Sequence, residues 1–235
     1  MIRQIVIVTV TLLLLLLACR PENSDNSQAD APDGTGLATM KTPAGDRLLP
    51  AAEGPVRSAF GVPQVDLNTY RLEIRGLVDS PYSLTWNDIK VMTKSETGTM
   101  LMYCVEGWEV FGKWEGLPVK DLLAMAGVKQ DGKYVLFRCA DGYSTSLPVV
   151  YIEKYNTLLA SAVNGEPLQP KNGFPLRLVA FGKYGYKWAK WVTSIEVTSQ
   201  SVPGFWESTG YTDEANVPLA RRRYYEGSGA EPLSY

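Results

Sequence analysis

Residues 100–119 read "MLMYCVEGWEVFGKWEGLPV" and place Cys104 directly after a short apolar run that ends at Tyr103. Glu106, Gly107 and Trp108 follow the cysteine almost at once. The apolar run is typical of a strand, and the polar residues and the glycine after it are typical of a loop. The pattern therefore predicts that Cys104 lies where a strand leaves its sheet, with its thiol on the loop side.

Composition makes this thiol the most informative group in the chain. The 235 residues include 3 cysteines and no histidine, which excludes Ser-His-Asp and Cys-His catalysis and His-ligated zinc. Three cysteines cannot build a four-thiolate zinc or iron-sulfur site. The 23 basic and 25 acidic residues nearly cancel, which argues against nucleic acid as a partner. No phosphate-binding or dinucleotide-binding glycine motif is present.

The N-terminal residues predict where in the cell the protein is located. Residues 1–20, "MIRQIVIVTVTLLLLLLACR", resemble a bacterial lipoprotein signal in which residues 1–19 end at Cys19 and this cysteine carries the lipid. An uncleaved membrane anchor and a plain secretory signal are the alternatives. All three export the protein, so we expect it in the bacterial cell envelope, held by lipid on the exported, periplasmic or outer, side of a membrane.

Two further segments follow the signal. Residues 20–55 are rich in Asp, Ser, Ala, Gly and Pro and have no periodicity, which predicts a disordered tether. Residues 56–235 are long enough for one domain with its own core.

Within this domain short strands outnumber helices. Residues 70–78 alternate as a half-buried strand does, Thr85 and Asp88 predict a capped helix start, and residues 117–127 predict a helix with Gly127 just past its end. Further strands are expected around the turns Asp141-Gly142 and Asn164-Gly165 and in residues 174–181 and 190–198. The pattern indicates an α+β fold with mixed sheets and few short helices.

Several motifs occur in the order in which one enzyme family has them. They are "YCVEGW", "WEGLP", "CADGY", "NGEPLQPKNGFPLRLV", "YGYKWAKWV" and "GFWESTGY", spread over Tyr70–Tyr211. The domain resembles the sulfite-oxidase-type molybdopterin oxidoreductases, which include the periplasmic catalytic subunit of methionine sulfoxide reductase. The resemblance implies the sulfite-oxidase-type molybdopterin-binding fold and Mo-molybdopterin as the cofactor.

In this family the cysteine of the first motif is the protein's sulfur ligand to molybdenum. The resemblance therefore assigns Cys104 as the catalytic metal ligand, and a soft thiolate suits a metal that is already held by sulfur. The alternative is a structural disulfide between Cys104 and Cys139, which the oxidising compartment would permit.

The resemblance also implies a set of cofactor-binding residues. Asn172 and Arg177 match a segment that contacts the pterin, and Lys190 matches another, together with the backbone of Trp188 and Ala189. Arg and Lys suit the cofactor's phosphate as a planar fork and a point charge. Without the resemblance, Arg177 and Lys190 would be interpreted as members of surface salt bridges.

The resemblance has three further implications for the same pocket. Cys139 and Asp141 are expected to line it as well. Asn172 stands where sulfite oxidases have histidine, in agreement with the sulfoxide-reductase branch. The N-terminal cofactor segment of larger members has only a shortened counterpart here, in Ser58–Asp66.

These features predict an exported molybdoenzyme that transfers an oxygen atom, in sulfoxide reduction or in sulfite-type oxidation. Its substrate would be a small molecule or of the methionine-sulfoxide type. Electrons would pass to or from a separate haem or quinone-linked protein, because the chain has no haem-binding sequence. Sulfite would need cations at the pocket mouth, for which Arg138, Lys183 and Lys187 are candidates. The alternative is a non-catalytic binding module that kept the fold and lost the cofactor.

Overall fold

The computed structural model describes residues 49–92 and 94–218, which form two β-sheets with short helices around them. The signal segment, Cys19 and most of the tether lie outside the described residues. The mixed sheets and few short helices confirm the predicted α+β class. None of the helices in the described ranges is long and apolar enough to cross a bilayer.

Short helices and 3₁₀ turns separate groups of one to three strands along the chain. The strands are β1 (Leu49–Pro50), β2 (Arg71–Gly76), β3 (Tyr82–Thr85), β4 (Ser95–Tyr103), β5 (Glu109–Pro118), β6 (Tyr134–Cys139), β7 (Ser144–Pro148), β8 (Leu158–Val163), β9 (Glu166–Pro167), β10 (Arg177–Val179) and β11 (Val192–Thr198). The helices are α1 (Trp86–Val91), α2 (Val119–Ala126), α3 (Val149–Lys154) and α4 (Phe205–Ser208). Two 3₁₀ turns occupy Pro170–Asn172 and Gly185–Lys187.

The first sheet is centred on β5. This strand pairs antiparallel with β4 and β8, and β10 and β9 extend the sheet from β8. β1 pairs parallel with β5, with Leu49 opposite Val110. Residues 49–55, which the sequence assigns to the tether, therefore include a strand and the buried side chain of Ala51, so the fold begins before Val56.

The second sheet has the strand order β3-β2-β11-β6-β7. Its pairs are antiparallel except β2 with β11, which run parallel with Ile74 opposite Ile195. Alternating burial along β2, with Leu72 and Ile74 inside and their neighbours outside, agrees with the predicted half-buried strand.

Local sequence signals for the helices are confirmed. The Thr85 side chain accepts from the backbone N–H of Asp88, whose carboxylate accepts from the backbone N–H of Thr85. Gly127 ends α2 in the left-handed region, at a φ of 70°. No local sequence pattern predicts α3 and α4, which are short and begin without a side-chain cap.

Candidate functional site

A cavity of about 470 Å³ opens between the two sheets and the loops at their ends. Its walls come from the N-terminal segment 51–59, the β4–β5 hairpin, the turn between β6 and β7, both 3₁₀ turns and α4 with the loop after it. The predicted site residues that line it are Cys104, Asp141, Asn172, Arg177, Trp188, Ala189 and Lys190. Residues more than 100 positions apart in sequence therefore share one chamber, as the resemblance implies.

Cys104 lies where the sequence predicts, directly after β4. Its backbone N–H donates to the Trp108 carbonyl at 2.9 Å, and its own carbonyl accepts from the N–H of Gly107 at 3.1 Å, so the hairpin holds the thiol at the cavity wall. The N–H of Glu106 points at Cys104 Sγ from 3.5 Å. Burial raises the pKa of the half-buried thiol, and this N–H opposes the rise.

Cys139 is placed differently. It ends β6, is 7% exposed and does not line the cavity, in contrast to the prediction. Its backbone pairs with Tyr143 and Val192, which turn the side chain into the core. Burial and the charge of Asp141 raise the pKa of its thiol well above the ordinary value. Both cysteines are free thiols, so the structure does not contain the alternative disulfide.

Arg177 is a buried cation that lacks a counter-ion among the described residues. It begins β10, where Nη1 donates to the Asn172 carbonyl at 3.1 Å and Nη2 contacts Met102 Sδ at 2.9 Å. The guanidinium lies 5.5 Å from the Trp114 ring, and its buried Nε has no hydrogen-bond partner. Burial lowers the pKa of Arg177 to about 10. A buried donor of this kind can accommodate an anionic ligand, since such groups are nearly always paired.

Lys190 is the second cation inside the cavity. Its Nζ donates to the Arg57 carbonyl at 2.6 Å and lies 4.5 Å from the Trp191 ring. Burial, and then the positive charge of Arg177, lower the pKa of Lys190 to about 7. Neither Lys190 nor Arg177 forms an ion pair within the described part of the chain, in contrast to the salt bridges that their types alone would suggest. The charge of Asp141 acts on Lys190 from beyond ion-pair distance, so neither cation has a carboxylate in direct contact. Two such cations in one cavity fit an anionic ligand.

Gly173 allows these cations to approach each other. Its φ of 113° lies in the left-handed region. A Cβ at this position would come within 3.0 Å of Arg177 Cβ and 3.1 Å of Lys190 Cγ. Only glycine leaves room for the two segments to pack this closely. The glycine of the "NGFPLRL" motif thus has a role in the geometry of the site.

The remaining predicted residues form the wall around these cations. Asn172 is 5% exposed, and its Nδ2 reaches the Ala52 carbonyl at 3.5 Å. Trp188 and Ala189 are each 2% exposed, and the Ala189 carbonyl accepts from Leu178 at 2.7 Å. Burial raises the pKa of Asp141, whose Oδ1 accepts from the Tyr143 N–H at 3.0 Å.

Sequence reasoning missed an ion pair at the cavity rim. Arg57 forms a fork with Glu106, with Nε to Oε1 at 3.0 Å and Nη2 to Oε2 at 2.9 Å. The same carboxylate accepts from Trp108 Nε1 at 2.9 Å. Segment 54–59 is thereby tied to the loop of Cys104 and, through the Arg57 carbonyl, to Lys190. No periodic signal in the sequence links Arg57 to a loop so far along the chain.

The three cations considered for the pocket mouth lie elsewhere. Arg138 pairs with Glu196 at 3.0 Å on the outside of the second sheet. Lys183 bonds to the Glu214 carbonyl and to Asn216, and Lys187 is fully buried between carboxylates. None of the three lines the cavity, because each is held by partners that lie far from it in sequence.

Comparison with known proteins agrees with this geometry. The family model described as "Oxidoreductase molybdopterin binding domain" matches residues 59–206. The chain belongs to this family. It is 39% identical over 159 residues to the uncharacterized oxidoreductase YuiH of Bacillus subtilis (strain 168), which covers 67% of this chain and 80% of that protein.

Two further similar proteins have names that state a reaction. The putative protein-methionine-sulfoxide reductase subunit YedZ1 of Azospira oryzae is 36% identical over 67% of this chain and 61% of its own length. The crystal structure of the sulfane dehydrogenase SoxCD from Paracoccus pantotrophus superimposes with a TM-score of 0.57 at 29% identity, over 60% of this chain and 41% of that one.

The cavity fits the cofactor that the molybdopterin-binding family implies. Arg177 Nε is a buried donor without a partner, and Lys190 lies beside it, which suits a phosphate. Cys104 is the cysteine at the cavity wall and supplies the soft donor that a sulfur-bound metal prefers. The described residues contain no group of three His, Cys, Asp or Glu side chains placed to bind a metal ion.

Proposed function

We propose that this protein is an exported, lipid-anchored molybdoenzyme in which Cys104 is the protein's ligand to molybdenum. The observation that carries the proposal is the meeting of three groups in one cavity. These are a half-buried thiol at Cys104 and two cations, Arg177 and Lys190, that have no carboxylate partner in the described residues. A soft donor and an anion-binding pair are the two things that a metal held by a phosphorylated pterin requires.

The residues that line the cavity have different parts in this arrangement. Arg177 and Lys190 would bind the phosphate, and Asn172 would orient the pterin. The Ala189 carbonyl, which accepts from the Leu178 N–H, fixes the wall against β10. The hairpin bonds at Cys104 hold its sulfur toward the cavity, and the buried ring of Trp188 helps to exclude water. The bound cofactor would supply two-electron oxygen-atom transfer, which the side chains alone cannot perform.

Sulfoxide reduction is the reaction that the cavity favours over sulfite oxidation. At the rim the charge of Arg57 is taken up by Glu106, and Arg138, Lys183 and Lys187 are directed elsewhere. Lys171 also lines the cavity, and aromatic rings make up a large part of the remaining wall, namely those of Trp108, Tyr186, Phe205, Trp206 and Tyr211. An uncharged sulfoxide with apolar substituents suits such a wall better than a dianion does.

The reaction needs a source of electrons. A sulfoxide that accepts two electrons and two protons releases its oxygen as water and becomes a sulfide. We propose that a separate haem or quinone-linked protein delivers the electrons, and the word "subunit" in the name of the Azospira relative supports a partner chain. Lipid at Cys19 would hold the enzyme near a membrane-bound donor.

Metal and pterin analysis tests the proposal. The full chain, matured in a host that makes molybdopterin, should contain molybdenum and pterin in equal amounts. Cys104→Ser should abolish sulfoxide reduction, while Cys139→Ser, which changes the thiol that does not line the cavity, should keep it. A folded parent that contains neither metal nor pterin would support the non-catalytic binding module instead.

A further inference from the structure

Lys187 is a fully buried ammonium that the proposed chemistry does not use. Its side chain is 0% exposed at the end of the second 3₁₀ turn. Nζ lies 2.6 Å from Glu207 Oε1 and 2.9 Å from Asp213 Oδ1, and it donates to the Ser146 carbonyl at 3.0 Å. All three ammonium protons thus have acceptors, and these acceptors belong to three separate parts of the chain.

The two carboxylates hold the segment after β11 against β7. Glu207 lies in α4, where Oε1 also accepts from Thr145 Oγ1 at 2.6 Å. Asp213 lies in the following loop and bonds to Ser201. Gly204 permits the close approach, because a Cβ there would stand 2.0 Å from the Ser144 carbonyl oxygen. The three charged groups form one buried cluster, which we call the Lys187 triad (Lys187, Glu207 and Asp213).

Aromatic side chains of the cavity flank every member of the triad. Tyr186 precedes Lys187, Trp206 precedes Glu207, and Tyr211 lies two positions before Asp213. All three line the cavity. Their rings contact one another, with centroids 5.2 Å apart for Tyr186 and Tyr211 and 5.4 Å for Trp206 and Tyr211. The three charged groups and the three rings therefore belong to the same three short segments of the chain.

Stability alone gives little reason for such a cluster. Buried ion pairs often contribute no more than apolar residues of the same size, because both partners must be desolvated. Here Glu207 Oε2 is also buried without a hydrogen-bond partner. What the triad does provide is a fixed orientation, since an ammonium with three set acceptors permits one arrangement of the segments that carry them.

We propose that Lys187 is a positioning residue for substrate selection, which holds Tyr186, Trp206 and Tyr211 as a wall against the apolar substituent of a sulfoxide. The inference rests on the proposed function for its substrate class. It assigns the preference for bulky over small sulfoxides to the triad, and it leaves cofactor binding to Arg177 and Lys190.

The experiment compares two probes that differ in the substituent only, methyl phenyl sulfoxide and dimethyl sulfoxide. Binding to the full chain is measured by quenching of tryptophan fluorescence without any electron donor, and the molybdenum content of each sample is recorded. The variants are Lys187→Met and, as a milder change at a partly exposed carboxylate, Asp213→Ala. Leu122→Ala, at a fully buried position in α2 outside the cavity, controls for lost stability.

Lys187→Met should bind methyl phenyl sulfoxide about tenfold more weakly, as expected when an apolar pocket loses its shape. Its affinity for dimethyl sulfoxide and its molybdenum content should equal those of the parent. Asp213→Ala should show the same selective loss to a smaller extent, and Leu122→Ala should show none.

Three results would overturn the inference. They are an unchanged preference in both triad variants, an equal loss in Leu122→Ala, and a parent that binds neither sulfoxide. A parent that lacks molybdenum would refute the proposed enzyme. A selective loss of the bulky probe in Lys187→Met of that same protein would still support the triad's role, so the two failures are distinguishable.

Discussion

Replacing Arg177 by methionine should separate cofactor binding from folding. Methionine keeps a long apolar side chain next to Trp114 and Met102 and removes the charge. In the absence of an anion, burial lowers the pKa of Arg177 from its ordinary value to about 10. At about 1.36 kcal/mol for each pKa unit, keeping this guanidinium charged costs the cofactor-free fold about 3 kcal/mol.

Favourable contacts offset part of this cost. The Trp114 ring contributes about 1 to 2 kcal/mol through its cation–π contact, and the bond to the Asn172 carbonyl contributes about 1 kcal/mol. The cofactor-free Arg177→Met protein should therefore unfold with a free energy within about 1 kcal/mol of the parent's. With the cofactor present, a lost charge-assisted contact of about 1.5 to 3 kcal/mol should weaken retention ten- to a hundredfold.

Two measurements on the same preparations check this. Urea unfolding of protein made without molybdopterin gives the stability, and molybdenum per chain after maturation gives the retention. Leu122→Ala serves as the comparison, since truncation of a buried leucine costs about 2 to 5 kcal/mol and leaves the cavity intact. If Arg177→Met lost more than about 3 kcal/mol and kept the parent's molybdenum, Arg177 would be a structural residue and the anion site would be wrong.

Four further outcomes are expected. Cys104→Ser should retain the fold by circular dichroism and lose sulfoxide reduction, and activity in this variant would exclude the thiolate ligand. The pKa of Lys190 is lowered to about 7 in the folded state, so the unfolded chain binds the extra proton above that pH. Cofactor-free stability should rise from pH 7 toward pH 10, a trend that Lys190→Met should abolish in urea titrations. Gly173→Ala places a Cβ 3.0 Å from Arg177 Cβ and should lower both thermal stability and molybdenum content. Cys19→Ser should move the protein from membranes to the soluble fraction, and unchanged fractionation would refute lipidation.

Local signals in the sequence predicted the elements that local physics determines. Cys104 directly follows a strand, Thr85 caps a helix and Asp141-Gly142 joins β6 to β7, because each depends on residues a few positions apart. The ordered motifs predict that Arg177 and Lys190 lie near each other, and both line the cavity.

Contacts between distant segments could not be predicted in this way. Lys187 was a candidate for the pocket mouth, yet it is buried, because Glu207 and Asp213 compensate its charge from beyond β11. Cys139 was expected in the pocket and faces the core, because the strand alternation of β6 sets its direction. Arg57 lies at the start of the predicted domain, where no local pattern indicates its ion pair, since its partner Glu106 is 49 positions away.

The parallel pairing of β2 with β11 determines when, during synthesis, the second sheet can form. Ile74 can pair with Ile195 only after Ile195 has left the ribosome, so the second sheet cannot be complete before then. Phe205, Trp206 and Tyr211 emerge later still, and the chamber lacks one side until they arrive. Such distant pairings make folding slow, and an unfinished chain exposes open strand edges meanwhile. A nascent chain that stops before residue 192 should thus lack both the closed second sheet and the α4 side of the cavity, so we expect cofactor binding only after these residues have emerged.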